Sequence, residues 1–288
     1  MHAAPAPDGH VLRIGVAQVA PELGSVAANA ATVKRVVDQV RGAVDLLVFP
    51  ELTLTGYAVG QRYHELALRA DAAVLRDLAE HAGDVAVLVG FIEETDRFQF
   101  FNSLALLRGG RVEQVHRKLF LPTYGIFEEG KHFSAGRRYE LMQVGPLRVA
   151  PLLCADAWNP ALAHVAASRG ADLFVLSANS PDGGLGARFS SREGWQRLAR
   201  FYASMYGVFV AFCNRVGQEG ELSFWGGSEI IDPFGQPLTA TAGAGEAVVT
   251  AACSRAAVRE ARTVLHTIRD DDPVLIAEEL LRAHREGR

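Results

Sequence analysis

Three residues of different reactivity each come directly after a predicted strand. Glu51 follows LLVFP, Lys118 follows VEQVHR and Cys154 follows VAPLL. A thiol, a carboxylate and an ammonium group are the parts that acyl transfer from nitrogen requires. A free thiol has a pKa of about 8.5, so it needs a base or a cation beside it to react at neutral pH. The residue types therefore predict a nucleophile at 154, a base at 51 and a cation at 118 that holds the thiolate and then the oxyanion.

Each of the three residues also has an ordinary structural interpretation. A cysteine at the end of a buried strand is more often an inert core thiol, and Cys213 in FVAFCN is an example of that alternative. A glutamate after proline is commonly a surface or helix-start residue, and a lysine after arginine is usually solvated. Position alone does not select Cys154.

Metal and cofactor chemistry have no local support in the sequence. The nine histidines show no HExxH spacing, and Cys154, Cys213 and Cys253 include no CxxC pair. We therefore expect no metal site, no cofactor, and free thiols, which are typical of a reducing compartment.

Charge and composition limit the partners. The formal net charge of -4 comes from 33 acidic and 29 basic residues spread along the chain, so we expect no binding to nucleic acid. Residues 1–10 are rich in Ala and Pro and lack the pattern of a signal peptide, which predicts a disordered extension and a cytoplasmic protein. The chain has no long apolar run, so no membrane partner is expected.

The apolar periodicity predicts strands that alternate with helices. Strands are predicted at 12–19, 44–49, 85–92, 101–107, 112–115, 147–153, 173–176, 208–212, 228–231 and 247–252, and helices at 26–40, about 65–81, 160–169 and 192–206. Residues 119–136 are predicted to form a long loop, and 232–235 a turn between the last two strands. This order predicts one α/β domain over 11–263 with two sheets covered by helices, and a helical tail over 264–288 with an apolar face for a partner subunit.

Three segments of the chain resemble the signature segments of the nitrilase superfamily. They are FPELTLTGY at 49–57, HRKLFLPTYGIFEEGKHFSAG at 116–136 and CADAWNP at 154–160, and they occur in that family's order and at its approximate separations. The likeness continues through GGSEIIDPFG at 226–235. The resemblance implies an α-β-β-α sandwich that pairs with a second subunit into a homodimer or higher homo-oligomer, without metal or organic cofactor.

The same resemblance implies roles for four residues. It assigns Cys154 as the nucleophile, Glu51 as the general base and Lys118 as the oxyanion stabiliser. The family's middle segment also carries a second glutamate that helps to position substrate. The order E-x-x-x-F places that glutamate at Glu129 rather than Glu128.

Further residues are candidates for contact with substrate. The substrate-binding candidates near the predicted nucleophile are Tyr124, Ala155, Trp158, Asn179 and Phe189. For the aromatic residues the alternative is ordinary core packing. Arg188 and Arg192, placed in a loop after Ser180-Pro181, are candidates for binding a substrate carboxylate. Asp156 is expected to fix the turn after Cys154.

The predicted activity is hydrolysis of a non-peptide carbon-nitrogen bond in a small linear amide or carbamoyl compound. The segment LPTYGIFEEGKHFSAG most resembles the glutaminase portion of glutamine-dependent NAD synthetases and related stand-alone amidases, but the chain has no SGGxDS motif, so we expect it not to be such a synthetase. A nitrilase, a non-hydrolytic acyl transferase and an inert binding protein of the same fold are the alternatives. The sequence does not identify the substrate.

Overall fold

The computed structural model of the protein describes residues 11–184, 186 and 188–287. The predicted disordered extension, residues 1–10, lies outside these residues. Within the described ranges, no helix is both long enough and apolar enough to cross a membrane.

The elements follow the predicted alternation of strands and helices. The strands are β1 (Val11–Gln18), β2 (Leu46–Val48), β3 (Ala86–Glu94), β4 (Phe100–Arg108), β5 (Arg111–Arg117), β6 (Met142–Val144), β7 (Leu147–Leu153), β8 (Leu173–Ala178), β9 (Phe209–Asn214), β10 (Val216–Glu219), β11 (Leu222–Trp225), β12 (Glu229–Ile231), β13 (Pro237–Ala240) and β14 (Ala247–Ser254). The α-helices are α1 (Val26–Val40), α2 (Tyr63–Leu66), α3 (Ala73–Ala82), α4 (Pro160–Ser168), α5 (Ser191–Tyr206), α6 (Arg255–Val264) and α7 (Pro273–Gly287).

Two six-stranded sheets and one hairpin account for the strands of the described residues. The first sheet has the order β14-β1-β2-β3-β4-β5, the second has the order β13-β12-β9-β8-β7-β6, and β10 pairs with β11. The pairs β1-β2 and β2-β3 are parallel in the first sheet, as β7-β8 and β8-β9 are in the second. These parallel strands are buried on both faces, which explains their nearly continuous apolar sequences.

The two sheets pack face to face, with helices on both outer surfaces. Ile14 and Leu46 of the first sheet belong to one apolar core with Val149 and Phe209 of the second. The outer face of the first sheet packs against α1 and α3, and the outer face of the second packs against α4 and α5. Each large apolar side chain buried in these layers stabilises the fold by roughly 1.5 to 3 kcal/mol. The predicted α-β-β-α sandwich is confirmed.

The predicted helix over about 65–81 is wrong in its extent. The structure has two helices here, α2 and α3, separated by extended chain. The backbone N–H of Leu68 donates to the carbonyl of Ile92 at 2.8 Å, and the N–H of Glu94 donates to the carbonyl of Leu68 at 2.9 Å. Because Leu68 pairs with β3, its backbone cannot take part in helical hydrogen bonds.

The end of the domain also differs from the sequence prediction. The turn at 232–235 leads into β13, which pairs with β12, so it does not connect β12 directly to β14. The helix α6 was not predicted; it begins at Ser254, whose Oγ accepts a bond from the Ala257 N–H at 3.2 Å. The strand β6 and the hairpin β10-β11 were not predicted either.

The helical tail predicted over 264–288 is helical over α7, whereas residues 265–272 lie between α6 and α7 and form no helix. None of its described residues is buried within the chain, and Val274, Ile276, Leu280 and Leu281 are exposed. Its role at a subunit interface stays a prediction.

Candidate functional site

The ends of strands from both sheets meet at one buried location. Glu51 lies just after β2, Lys118 follows β5, and Cys154 follows β7. Glu129 begins a short 3-10 turn, Glu129–Lys131, in the predicted long loop. All four side chains are buried. Lys118 bonds to both glutamates, and Cys154 is close enough to interact with the charges of all three, so the structure brings together the four residues predicted to be catalytic.

Lys118 is held between two carboxylates. Its Nζ donates to Glu51 Oε1 at 2.6 Å and to Glu129 Oε1 at 2.7 Å. Burial alone lowers the pKa of the Lys118 ammonium, but the charges of Glu129 and Glu51 outweigh it and hold that pKa well above its ordinary value. Lys118 is therefore a fixed positive charge in the site.

Glu51 is fixed by further donors, one from β4 and one from the residue after β8 of the other sheet. Its Oε1 accepts a bond from Asn102 Nδ2 at 2.8 Å, and its Oε2 accepts one from the backbone N–H of Asn179 at 2.9 Å. The Asn179 side chain donates to the Glu51 carbonyl at 2.8 Å. Gly90 on β3 allows this placement, because a Cβ there would lie 2.3 Å from the backbone nitrogen of Leu52. The carboxylate is thus held in one orientation.

The structure distinguishes the two adjacent glutamates of the middle segment. Glu129 accepts bonds from Tyr57 Oη at 2.9 Å and from Asn102 Nδ2 at 3.3 Å, in addition to Lys118. Glu128 is exposed and pairs with Lys131. Burial raises the pKa of Glu129 above its ordinary value; the Lys118 charge opposes this rise, and the Glu51 charge adds to it. The sequence preference for Glu129 over Glu128 agrees with this placement.

Cys154 occupies a strained backbone conformation. It has φ +47°, in the left-handed region that residues with a Cβ rarely adopt, and it begins the 3-10 turn Cys154–Trp158. Leu52, directly after Glu51, has the same φ of +47°. Such strain costs on the order of 1 to 3 kcal/mol and concentrates at functional sites. Both strand ends turn sharply here and present Glu51 and Cys154 to the same space.

The surroundings of the Cys154 thiol favour its protonated form. Burial raises its pKa well above the ordinary value, and the charge of Glu51 adds to the rise. The Lys118 charge and a hydrogen bond from the Asn179 backbone act in the opposite direction. The thiol therefore needs a base that removes its proton during attack.

Asp156 fixes the turn after Cys154, as expected. Its Oδ1 accepts bonds from the backbone N–H groups of Leu119 and Phe120, each at 2.9 Å. Its Oδ2 lies 3.0 Å from His116 Nε2 and accepts a bond from the Leu153 N–H at 3.3 Å. One carboxylate thus ties the turn that carries Cys154 to the segment that carries Lys118.

A cavity of about 100 Å³ opens beside the thiol. Its lining residues are Pro122, Tyr124, Phe127, Cys154, Ala155, Trp158, Ser180, Pro181, Gly184, Ser191 and Trp195. Three substrate-binding candidates, Tyr124, Ala155 and Trp158, belong to this lining. Phe189 is not part of it but packs edge-on against Trp158, with the ring centroids 5.7 Å apart. Asn179 bonds to Glu51 through its backbone N–H and its side chain, and it is not among the residues that line the cavity.

The two arginine candidates have different positions. Arg188 is exposed in the loop before α5, whereas Arg192 lies in the first turn of α5 and not in the predicted loop. The guanidinium of Arg192 stands over the Trp225 ring, 5.2 Å from its centroid. Neither arginine is among the residues that line the cavity.

Sequence reasoning missed three residues of the surrounding network. Asn102 donates to both carboxylates, and Tyr57 donates to Glu129. Glu219 accepts bonds from the backbone N–H groups of Tyr57 and Ala58, the latter at 2.7 Å. Tyr57 lies inside the segment FPELTLTGY and could have been noticed there; Asn102 and Glu219 had no local signal.

Solved structures resemble this fold closely. A carbon-nitrogen hydrolase superfamily protein from Xanthomonas campestris superposes with a TM-score of 0.80, at 27% identity over 91% of this chain and 98% of its own. A carbon-nitrogen hydrolase from Helicobacter pylori has a TM-score of 0.82 at 22% identity, over 94% of this chain and 98% of its own, and shows the same fold.

Curated relatives include two kinds of enzyme. The glutamine-dependent NAD(+) synthetase of Thermotoga maritima is 33% identical over 79% of this chain, but the match spans 39% of that longer protein. An (R)-stereoselective amidase from a Pseudomonas species is 29% identical over 79% of this chain and 80% of its own length. The sequence profile of the carbon-nitrogen hydrolase family matches residues 13–263. The chain therefore belongs to the carbon-nitrogen hydrolase family, within the nitrilase superfamily.

Proposed function

We propose that this protein hydrolyses a small amide through a covalent acyl intermediate on Cys154. One arrangement carries the proposal: a buried thiol shares its site with an ammonium group that is clamped by two carboxylates, Glu51 and Glu129. This set supplies a nucleophile, a base and a fixed positive charge, which are the requirements of acyl transfer.

In the first half of the reaction, Glu51 removes the thiol proton as Sγ of Cys154 attacks the amide carbonyl carbon. Because burial raises the pKa of the resting thiol, the attack requires a base that accepts this proton. Lys118 and a backbone N–H near Cys154 hold the oxyanion of the tetrahedral intermediate; a donor of this kind is typically worth roughly 3 to 4 kcal/mol. The carbon-nitrogen bond then breaks, and Glu51 gives its proton to the departing ammonia or amine.

In the second half, Glu51 removes a proton from water, and the resulting hydroxide attacks the thioester. The second tetrahedral intermediate collapses, the acid leaves, and the proton returns to Cys154. Glu129 acts throughout by holding Lys118 in place and by orienting the substrate amide.

Ammonia release tests the proposal. We expect purified wild-type protein to release ammonia from small amides, Cys154→Ala to lose at least about 1000-fold in kcat/KM, and Cys213→Ala to behave like wild type. Cys213 is a matched control because its thiol is also buried, with Sγ 3.4 Å from the carbonyl oxygens of Ala17 and Val48. Activity of Cys154→Ala equal to that of wild type would refute the assignment of Cys154 as the nucleophile.

A parallel incubation with nitriles separates the two activities of the superfamily. Each amide is paired with the nitrile of the same carbon skeleton. Ammonia from the nitrile but not from the amide would replace the amidase proposal with a nitrilase. Mass spectrometry of a trapped acyl group on the peptide that contains Cys154 tests the intermediate directly.

A further inference from the structure

The cavity beside Cys154 offers a substrate almost only apolar surface. The lining consists of aromatic rings, prolines and small side chains, and its polar side-chain groups are the hydroxyls of Ser180, Ser191 and Tyr124, the indole N–H groups of Trp158 and Trp195, and the Cys154 thiol. Ser180 Oγ accepts a bond from Trp225 Nε1 at 3.3 Å, and Ser191 Oγ donates to the Pro181 carbonyl at 2.8 Å. Ser191 thus uses its proton within the protein, Ser180 can still donate one, and none of the ionic side chains Asp, Glu, Lys and Arg is in the lining.

The charged groups closest to Cys154 in the described structure are paired with one another. Lys118 forms ion pairs with Glu51 and Glu129, and none of the three lines the cavity. Arg192 stands over the Trp225 ring, and Arg188 is exposed. Among the residues that the structure describes, none that lines the cavity is charged. A carboxylate or ammonium on the bound acyl group would thus leave water without gaining a partner, at a large cost in free energy.

The size of the cavity limits the acyl group further. The volume of about 100 Å³ is smaller than the ~150 Å³ apolar cavity that accommodates benzene. The space therefore suits a short acyl group. A branched four-carbon substituent has fewer carbon atoms than benzene, whereas the acyl part of glutamine is longer and carries two charges.

From this cavity we infer that the enzyme acts on primary amides of short, uncharged aliphatic acids and rejects glutamine and other amides whose acyl group carries a charge. The inference rests on the proposed function. This substrate preference would distinguish the protein from the glutamine-dependent synthetases, whose sequences match most of the length of this chain.

The first experiment compares substrates of the same shape but different charge. In 3-methylbutanamide an isopropyl group stands where malonamate has a carboxylate. We expect kcat/KM for 3-methylbutanamide to exceed the values for malonamate and for L-glutamine by at least about 100-fold. A kcat/KM for either charged amide equal to or above that for 3-methylbutanamide would overturn the inference. The proposed function as a cysteine amidase would then still hold. Inactivity toward every amide, acetamide included, would instead refute the proposed function itself.

The second experiment tests whether this cavity holds the acyl group. Ala155 lines the cavity, and Ala155→Leu adds three carbon atoms to its wall. We expect the ratio of kcat/KM for acetamide to that for 3-methylbutanamide to rise at least about tenfold over wild type. Ala161→Leu is the matched control, because Ala161 is exposed on α4, and it should keep the wild-type ratio. An unchanged ratio in an active Ala155→Leu protein would show that the acyl group binds elsewhere.

Discussion

The hydroxyl of Tyr57 donates a hydrogen bond to Glu129 Oε1 at 2.9 Å, and that oxygen also accepts a bond from Lys118 Nζ at 2.7 Å. Tyr57 thus touches the carboxylate that positions the ammonium group, and acts on Lys118 only through it. Burial raises the pKa of the Tyr57 phenol well above its ordinary value, and the charge of Glu129 adds to the rise. The phenol therefore keeps its proton and remains a donor.

Replacing Tyr57 with phenylalanine should lower kcat more than it raises KM. The change removes one of the three side-chain hydrogen bonds that hold Glu129 beside Lys118, so the carboxylate is held less firmly. We expect a fall in kcat of roughly tenfold, which corresponds to ~1.4 kcal/mol in the barrier. Steady-state kinetics on a small amide measure this effect. Tyr63→Phe is the control, since the Tyr63 ring packs against Phe100 and His132. An equal loss in both variants would contradict a positioning role for Tyr57.

Glu219 should contribute strongly to stability through a buried ion pair. It forms a salt bridge with Arg215, both side chains are buried, and Glu219 also accepts the backbone N–H groups of Tyr57 and Ala58. Glu219→Gln leaves the Arg215 charge buried without its partner, so we expect the free energy of unfolding to fall by about 3 kcal/mol. Urea denaturation measures the change. Glu193→Gln, which breaks an exposed pair with Arg197, should leave the midpoint unchanged; a similar shift in both variants would refute the argument.

The Cys154 thiol should titrate at unusually high pH. Burial and the charge of Glu51 raise its pKa, so the thiolate should form only well above the ordinary thiol value of about 8.5. The difference in ultraviolet thiolate absorbance between wild type and Cys154→Ala follows this titration. A midpoint at or below the ordinary value would contradict the burial argument and favour a preformed thiolate.

The charge of Lys118 opposes the rise in the Cys154 pKa, so removing that charge gives a second test of the thiol. Lys118→Met removes a charge that lowers the Cys154 pKa, so the thiolate curve should move to still higher pH. Lys131→Met is the control, because Lys131 is exposed and pairs with Glu128. A shift to lower pH in Lys118→Met would show that the cation does not act on the thiol.

The sequence predicted the positions of the reactive groups better than the residues that orient them. Local periodicity located the strand ends before Glu51, Lys118 and Cys154, and the resemblance of three segments to the nitrilase superfamily singled these residues out. Asn102 lies within β4, where its amide looks like one polar residue in an apolar strand. Only the pairing of β4 with its neighbours brings that amide to Glu51, 51 positions away along the chain. Such contacts depend on tertiary packing, which periodicity does not describe.

The same distinction explains the errors in the fold. The pattern over 65–81 fits a helix locally, but hydrogen bonds between Leu68 and β3 interrupt it. The hairpin that carries Glu219 has a short, partly exposed sequence with weak alternation. Its importance comes from a contact with Tyr57 across 162 positions of the chain. Long apolar strands were predicted well because their burial on both faces dominates their composition.

The exposed apolar face of α7 should contribute to self-association and not to the fold of the single chain. Leu280 is 59% exposed and Leu281 is 53% exposed, and no described residue of α7 is buried within the chain. Deletion of residues 273–288 should therefore leave the thermal unfolding midpoint nearly unchanged but reduce the number of subunits in the assembly. Light scattering after gel filtration measures the mass. Leu280→Glu together with Leu281→Glu in the full chain should have the same effect, because charges on this face oppose its burial. The double variant Glu278→Gln and Glu279→Gln is the control, because both residues are exposed on the same helix. An unchanged number of subunits after the deletion would show that α7 has no part in the interface.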